Sequence, residues 1–268
     1  MADIWLVALI LGIVEGFTEY LPISSTGHLI VVSHALGFTG DMANDFAIFI
    51  QFGAIVSVLV LYRQRLWGLV RGLPHDPAAQ KLAGGIMLAF LPAAVLGLLA
   101  HHWIKHTLFN PTVVAAALIL GGFAILAIER LRPRARIHEL EGMSWPTMLG
   151  IGLIQCLALI PGVSRSGATI LGGVCLGLDN KTATEFSFFV AIPVLAAATL
   201  FDLMKAWPVL THGEVGIFLF GMVVSGIVAA LVIAALLRFV QTHNFNAFAY
   251  YRIVFGLLVL AFVRAGVM

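Results

Sequence analysis

The chain is predicted to be an all-α integral membrane protein: six transmembrane helices plus two re-entrant helical hairpins, laid out as an inverted-topology repeat. Three observations predict this. Hydrophobic residues make up 61% of the 268 and charged residues 10%, where a soluble domain carries about 25% charged residues; mean hydropathy is +1.04. Apolar segments of spanning length alternate with basic or proline-bearing connectors. Two shorter apolar segments are each interrupted by serine, glycine and charged residues, and the two interruptions are alike.

Residues 3–20 form the first limb of a broken hairpin and 27–37 the second. Neither limb supplies the ~20 apolar residues that a span needs. Pro22 withdraws a backbone donor and Gly27 loosens the chain, so the break falls between them. Ser24 or Ser25 is placed to cap the second limb, with Thr26 a further capping candidate. A span follows from Asp45 to Tyr62, then a connector with Arg63, Arg65, Arg71, Pro74 and Pro77. Spans 82–103 and 111–130 come next, and Arg130, Arg132, Arg134 and Arg136 mark another connector. Residues 145–160 and 168–178 are the limbs of a second hairpin, broken at Pro161-Gly162-Val163-Ser164-Arg165-Ser166-Gly167. Spans 183–204, 215–237 and 247–265 complete the chain.

The two breaks align at one offset, residue 24 with residue 164, and the same offset lays Asp45-Phe46-Ala47-Ile48-Phe49 on Glu185-Phe186-Ser187-Phe188-Phe189. The chain is therefore read as a single polytopic domain, repeat 1 covering about 1–130 and repeat 2 about 140–268. Three spans between the copies invert the second, an arrangement that brings interrupted helices together near the bilayer midplane. This topology gathers Arg63, Arg65, Arg71, the arginines 130–136, Lys181, Arg238 and Arg252 on one side, against Lys105, Lys205 and Arg264 opposite. The richer side is then cytoplasmic and both termini lie outside.

Several classes are excluded. A net charge of +2 offers no footprint for nucleic acid. Cys156 and Cys175 lack the spacing of a disulfide or metal pair and are read as buried thiols. The N-terminal apolar segment has no basic residue before Arg63, so it is read as mature structure and not as a signal peptide.

The chemistry concentrates in the breaks. Glu15 and Glu19, four apart, share one helix face. If the breaks meet, Arg165 confronts Glu15, Glu19, Ser25 and His28. A guanidinium, helix N-termini and hydroxyls from Ser24, Thr26, Ser164 and Ser166 form an anion cradle suited to phosphate. Carboxylates beside phosphate call for a hard cation between them, Mg2+ or Ca2+, with Glu15 and Glu19 as its ligands. A serine beside a carboxylate and an imidazole has the parts of an activated nucleophile. The set fits metal-assisted phosphoryl transfer. Alternatives stay open for each part: a proton relay or structural pairing for the two glutamates, and capping for His28, Ser24, Thr26 and Ser166. Gln51 and Gln155 read as interhelical hydrogen-bond partners, and Glu139 and Glu141 as loop residues. A lipid or proton-coupled transporter or flippase on the same inverted repeat is the rival function.

The run Glu15-Gly-x-x-Glu19-x-Leu-Pro-x-Ser-Ser-Thr-Gly27-His28, with Pro161-Gly-x-Ser-Arg-Ser-Gly-Ala-Thr169, resembles the undecaprenyl-diphosphate phosphatases of the bacitracin-resistance family over the whole chain. The resemblance implies hydrolysis of undecaprenyl diphosphate to the monophosphate carrier lipid, a step of cell-wall synthesis that confers bacitracin resistance. It implies a divalent cation, a bacterial inner-membrane location with the site facing the periplasm, bacitracin as a competitor for the substrate, and a homodimer as an admissible assembly. By position it makes Ser25 the nucleophile or key phosphate contact. Glu15 and Glu19 bind metal or activate the nucleophile, His28 serves as acid or base, and Arg165 binds the diphosphate together with Ser24, Thr26, Gly27, Ser164 and Ser166. The family's further acidic position falls at Glu141.

Overall fold

The computed structural model describes residues 3–206 and 215–266. Its helices are α1 (Ile4–Thr18), α2 (Ser25–Ala35), α3 (Asp41–Leu61), α4 (Arg63–Gly72), α5 (Pro77–Trp103), α6 (Pro111–Leu131), α7 (Trp145–Gln155), α8 (Arg165–Cys175), α9 (Asn180–Ala206), α10 (Val215–Thr242) and α11 (Asn246–Arg264). Among the described residues there is no strand, only one isolated bridge between Ile137 and Leu178. Six helices, α3, α5, α6, α9, α10 and α11, are long and apolar enough to cross a membrane. The protein is multi-pass.

Local signals set the helix starts. Asp76 caps α5 ahead of Pro77, Asn110 caps α6 ahead of Pro111, and Ser144 caps α7 just before Pro146. In each case proline sits where its missing N–H costs nothing. The connector after Tyr62 contains the short helix α4. The outer faces of the spans carry exposed Leu98, Leu99, Leu120 and Leu231, a surface that suits lipid and not water.

Glycines let the helices approach closely, since small residues drive packing where lipid offers no hydrophobic contrast. A Cβ at Gly53 would strike the Met222 carbonyl, one at Gly16 the Ser225 carbonyl, and one at Gly85 the Met148 thioether. These contacts seat α3 and α1 on α10, and α5 on α7. α6 pairs with α11 and α3 with α9. The broken pairs α1–α2 and α7–α8 are held inside this frame, their breaks facing the interior, where the largest buried cluster lies. The thiols of Cys156 and Cys175 are free, as expected, but not buried: the first is half-buried and the second exposed.

Candidate active site

Each break is a helix end, a tight turn and a new helix start. After α1 the chain runs through Glu19 to Ile23 and enters α2 at Ser25, with Ser24 as N-cap. After α7 a short 3-10 turn, Cys156–Leu159, leads through Pro161-Gly162 to Ser164, the N-cap of α8. Ser24 (φ 71°) and Ser164 (φ 76°) are the only non-glycine residues with positive φ among the described residues. Such backbone costs on the order of 1–3 kcal/mol and persists where the surroundings enforce it. The N-caps differ in one respect. Ser164 Oγ accepts from the Gly167 N–H, whereas Ser24 makes no side-chain cap, so the first turn of α2 keeps its N–H groups for another acceptor.

The breaks meet, and Glu19 is the junction. Arg165 Nη2 donates to Glu19 Oε1 at 2.9 Å, and Ser25 Oγ donates to Glu19 Oε2 at 2.5 Å. The Glu19 and Arg165 side chains are only 5% and 10% exposed, so this is a buried ion pair. Arg165 Nη1 donates to the Ser187 carbonyl of α9, the Ser187 hydroxyl in turn hydrogen-bonds Thr169, and the guanidinium lies over the Tyr20 ring. Ser166, expected as a cap, instead donates to the Leu21 carbonyl across the junction and hydrogen-bonds Ser164. Gly27 faces Val114 and Leu118 of α6, with room for no more than a tight Cβ.

A cavity of about 200 Å3 opens on this junction. Glu19, Ser24, Ser25, Thr26, Ser164 and Arg165 line it, with Gln51 of α3 and Gln155 of α7. Gln155 donates to the Ala89 carbonyl, so it is an interhelical partner as expected, and its amide oxygen is left without one. Glu15 lies behind Glu19 and interacts with it directly; it is 1% exposed, and both its carboxylate oxygens lack a hydrogen-bond donor.

His28 is engaged elsewhere. Its Nδ1 meets the Ser24 carbonyl at 2.7 Å and its Nε2 meets the Tyr251 hydroxyl at 2.6 Å, while the ring stacks on Phe255. A carbonyl only accepts, so Nδ1 carries the proton and Nε2 accepts from Tyr251. Both ring nitrogens are thus committed, and His28 is not among the residues that line the cavity. Glu141 sits in a 3-10 turn and pairs with Arg65 at 2.9 Å, exposed and outside the cavity lining. Arg65 also reaches Glu185 at 3.2 Å.

Arg252 departs furthest from expectation. Counted in the sequence among the basic residues of one membrane surface, it is 1% exposed and lies against both breaks, donating to backbone carbonyls of each. The basic residues at the other connectors remain at the surface: Arg63, Arg71, Arg130, Arg132, Arg134 and Arg136 are exposed, and Arg65 is half-buried.

Residues 8–258 match the family described as bacitracin resistance protein BacA. The chain belongs to this family. Among its relatives is an undecaprenyl-diphosphatase of Ectopseudomonas mendocina, 51% identical over 97% of this chain and 95% of the relative. The undecaprenyl-diphosphatase of Aromatoleum aromaticum is 50% identical over 96% and 94%. That of Azotobacter vinelandii is 47% identical over 99% and 97%.

Proposed function

We propose that the protein is an undecaprenyl-diphosphatase: it hydrolyses undecaprenyl diphosphate to undecaprenyl phosphate and inorganic phosphate, and so supports cell-wall synthesis and bacitracin resistance. The observation that carries the reading to this site is the bridging of Ser25 and Arg165 by one buried carboxylate, Glu19. The pairing supplies a nucleophile, its base and an anion-binding fork within a cavity of headgroup size.

In the proposed reaction Ser25 Oγ attacks the terminal phosphorus and passes its proton to Glu19 Oε2. The bond from that phosphorus to the bridging oxygen breaks, and the lipid monophosphate leaves with the electron pair. Glu19 hands that proton to the departing monophosphate. Water then attacks the phosphoserine phosphorus and gives a proton to Glu19, which returns it to Ser25 Oγ as the Oγ–P bond breaks and inorganic phosphate departs. Arg165 and the uncapped N–H groups of α2 bind the phosphoryl oxygens, contributing mostly through position and charge. Ser24, Thr26, Ser164 and Ser166 shape the cradle, and Gly27 keeps the α2 backbone close to α6. His28 serves by fixing the Ser24 carbonyl, and with it the strained turn before Ser25.

A divalent cation, Mg2+ or Ca2+, fits the donor set. Glu15 offers two buried oxygens without donors beside Glu19, and hard cations are commonly held by one or two carboxylates plus substrate phosphate oxygens. No group of three or more His, Cys, Asp or Glu side chains that could hold a metal occurs among the described residues, so the remaining ligands would be phosphate and water. Such an ion would neutralise charge between the carboxylates and the diphosphate.

The finer topology is two re-entrant hairpins in an inverted repeat, and three features support it. The positive-φ serines fall at equivalent positions, 24 and 164. Glu15 and Gln155 occupy the same offset, each buried with an unpartnered oxygen. The packing partners also exchange: α1 lies on α10 as α7 lies on α5, and α3 meets α10 as α9 meets α5. With the basic connectors in the cytoplasm the termini face the periplasm of a bacterial inner membrane, and the cavity opens outward to the lipid headgroup. Bacitracin would compete by capturing the substrate, and a homodimer is compatible with this architecture.

The test is phosphate release from undecaprenyl diphosphate by the purified protein in detergent. Hydrolysis proceeds there and transport has no meaning, so release at turnover rates supports a phosphatase. Binding without release would favour the transporter.

A further inference from the structure

We infer that Arg252 is a positioning residue for the reaction: its single guanidinium fixes the spacing of the two breaks and hence the alignment of Ser25 with Glu19 and Arg165. The inference rests on the phosphatase reading of that site. Arg252 lies on α11, within an apolar span, and is 1% exposed. An intramembrane arginine is normally paired or turned to water, yet among the described residues no carboxylate pairs with it.

Its partners are five backbone carbonyls from three places. Nη1 donates to Pro22 O at 3.1 Å and Val163 O at 2.9 Å. Nη2 donates to Gly162 O at 2.9 Å and Ala117 O at 3.1 Å, and Nε to Leu118 O at 3.4 Å. Pro22 belongs to the first break, Gly162 and Val163 to the second, and Ala117 and Leu118 to α6. A break leaves carbonyls that no helix N–H can reach, and in a membrane interior these must find a donor within the protein. Arginine suits the task because it presents five donors in one rigid plane. α6 accommodates it through Gly121: a Cβ there would occupy the place of the guanidinium.

The clamp acts close to the chemistry. Pro22 precedes Ser24 and Ser25 by two and three residues, and Val163 precedes Arg165 by two. Moving either carbonyl shifts one reacting partner against the other, and a displacement of about 1 Å can cost ~100-fold in rate. Lysine keeps the charge but places three donors at one point, too few and too compact for carbonyls on three elements.

The experiment compares wild type with Arg252→Lys and Gly121→Ala, the second retaining the guanidinium but displacing it. Steady-state phosphate release is measured per mole of folded, monodisperse protein. The expected result is a fall in kcat of about 100-fold for Arg252→Lys with KM for the lipid nearly unchanged, and a smaller fall in the same pattern for Gly121→Ala. A second readout needs no activity. Cysteines placed at Ile23 and Val163, in a background with Cys156 and Cys175 replaced by serine, should cross-link several-fold more slowly when Arg252 is lysine. Unchanged cross-linking overturns the clamp. Normal kcat per folded protein in both variants overturns its part in the reaction. Wild type that releases no phosphate would instead remove the phosphatase reading, and the cross-linking result would still decide whether Arg252 holds the breaks.

Discussion

Replacing Glu19 with glutamine tests the proposed chemistry with the least change in shape. Glu19 accepts from Ser25 Oγ at 2.5 Å and from Arg165 Nη2 at 2.9 Å, with its side chain 5% exposed. Glutamine offers one acceptor and one donor in their place. With its oxygen on Arg165, its NH2 group faces Ser25, which can then only accept and has no base to take its proton. The reverse orientation sets NH2 against guanidinium and is worse. Loss of a general base costs roughly 100- to 10,000-fold in kcat, or about 3–5 kcal/mol of transition-state energy. Stability should suffer less than the ~3–5 kcal/mol typical of a broken buried pair, because the amide oxygen keeps one hydrogen bond to Arg165. The assay is phosphate release per folded protein in detergent, with Glu19→Asp alongside; that shorter carboxylate keeps the charge but cannot hold both contacts, so it should fall between. KM should hold near wild type, since Arg165 remains in place. A Glu19→Gln enzyme within about threefold of wild-type kcat would refute the assignment of Glu19 as base.

Chelation should abolish phosphate release and added Mg2+ or Ca2+ should restore it, with Glu15→Gln raising the concentration needed for half-recovery; titration of activity against free metal checks this. Glu141→Gln should leave kcat within about threefold, because its partner Arg65 is solvated and exposed ion pairs contribute ~1 kcal/mol or less. Tyr251→Phe removes the donor to His28 Nε2 and should lower kcat modestly, without the bell-shaped shift in pH profile that loss of a catalytic acid or base would bring. Asp179, in the connector before α9, has burial working to raise its pKa, but hydrogen bonds from Thr182 and His138 outweigh it and hold the carboxyl below its ordinary value. Its contribution to stability is therefore present above about pH 4 and is lost as pH falls through the lowered value. Asp179→Asn should flatten the acid limb of a thermal-melting profile.

Much of the site was legible because it violates what a membrane segment otherwise requires. Carboxylates, a proline and serines inside apolar runs have no folding purpose, and the single offset relating residue 24 to residue 164 tied the two violations together. If the breaks meet, Arg165 is expected to confront Glu15, Glu19, Ser25 and His28, and the structure places Glu19 2.9 Å from it. What the sequence hid was direction. Ser166 looks like a cap, but its hydroxyl crosses to Leu21 because Ser164 already serves as cap. His28 follows the nucleophile position closely in the chain, yet the α2 start turns it to Tyr251 and Phe255 on α11, 223 residues from Tyr251 in sequence. Arg252 stands near the start of a span and reads as an interfacial charge. The available signals were its apolar neighbours Ile253 and Val254 and the Gly121-Gly122 pair, whose missing side chains leave room for something large.

The central claim is that residues from two distant breaks work as one reaction centre. A double-mutant cycle on Ser25→Ala and Arg165→Ala measures it most directly, using kcat for phosphate release per folded protein. Groups that act as a unit lose nearly everything with the first substitution. The double variant should therefore be little slower than the worse single variant. Losses that multiply, as they would for two independent sites, would contradict the account.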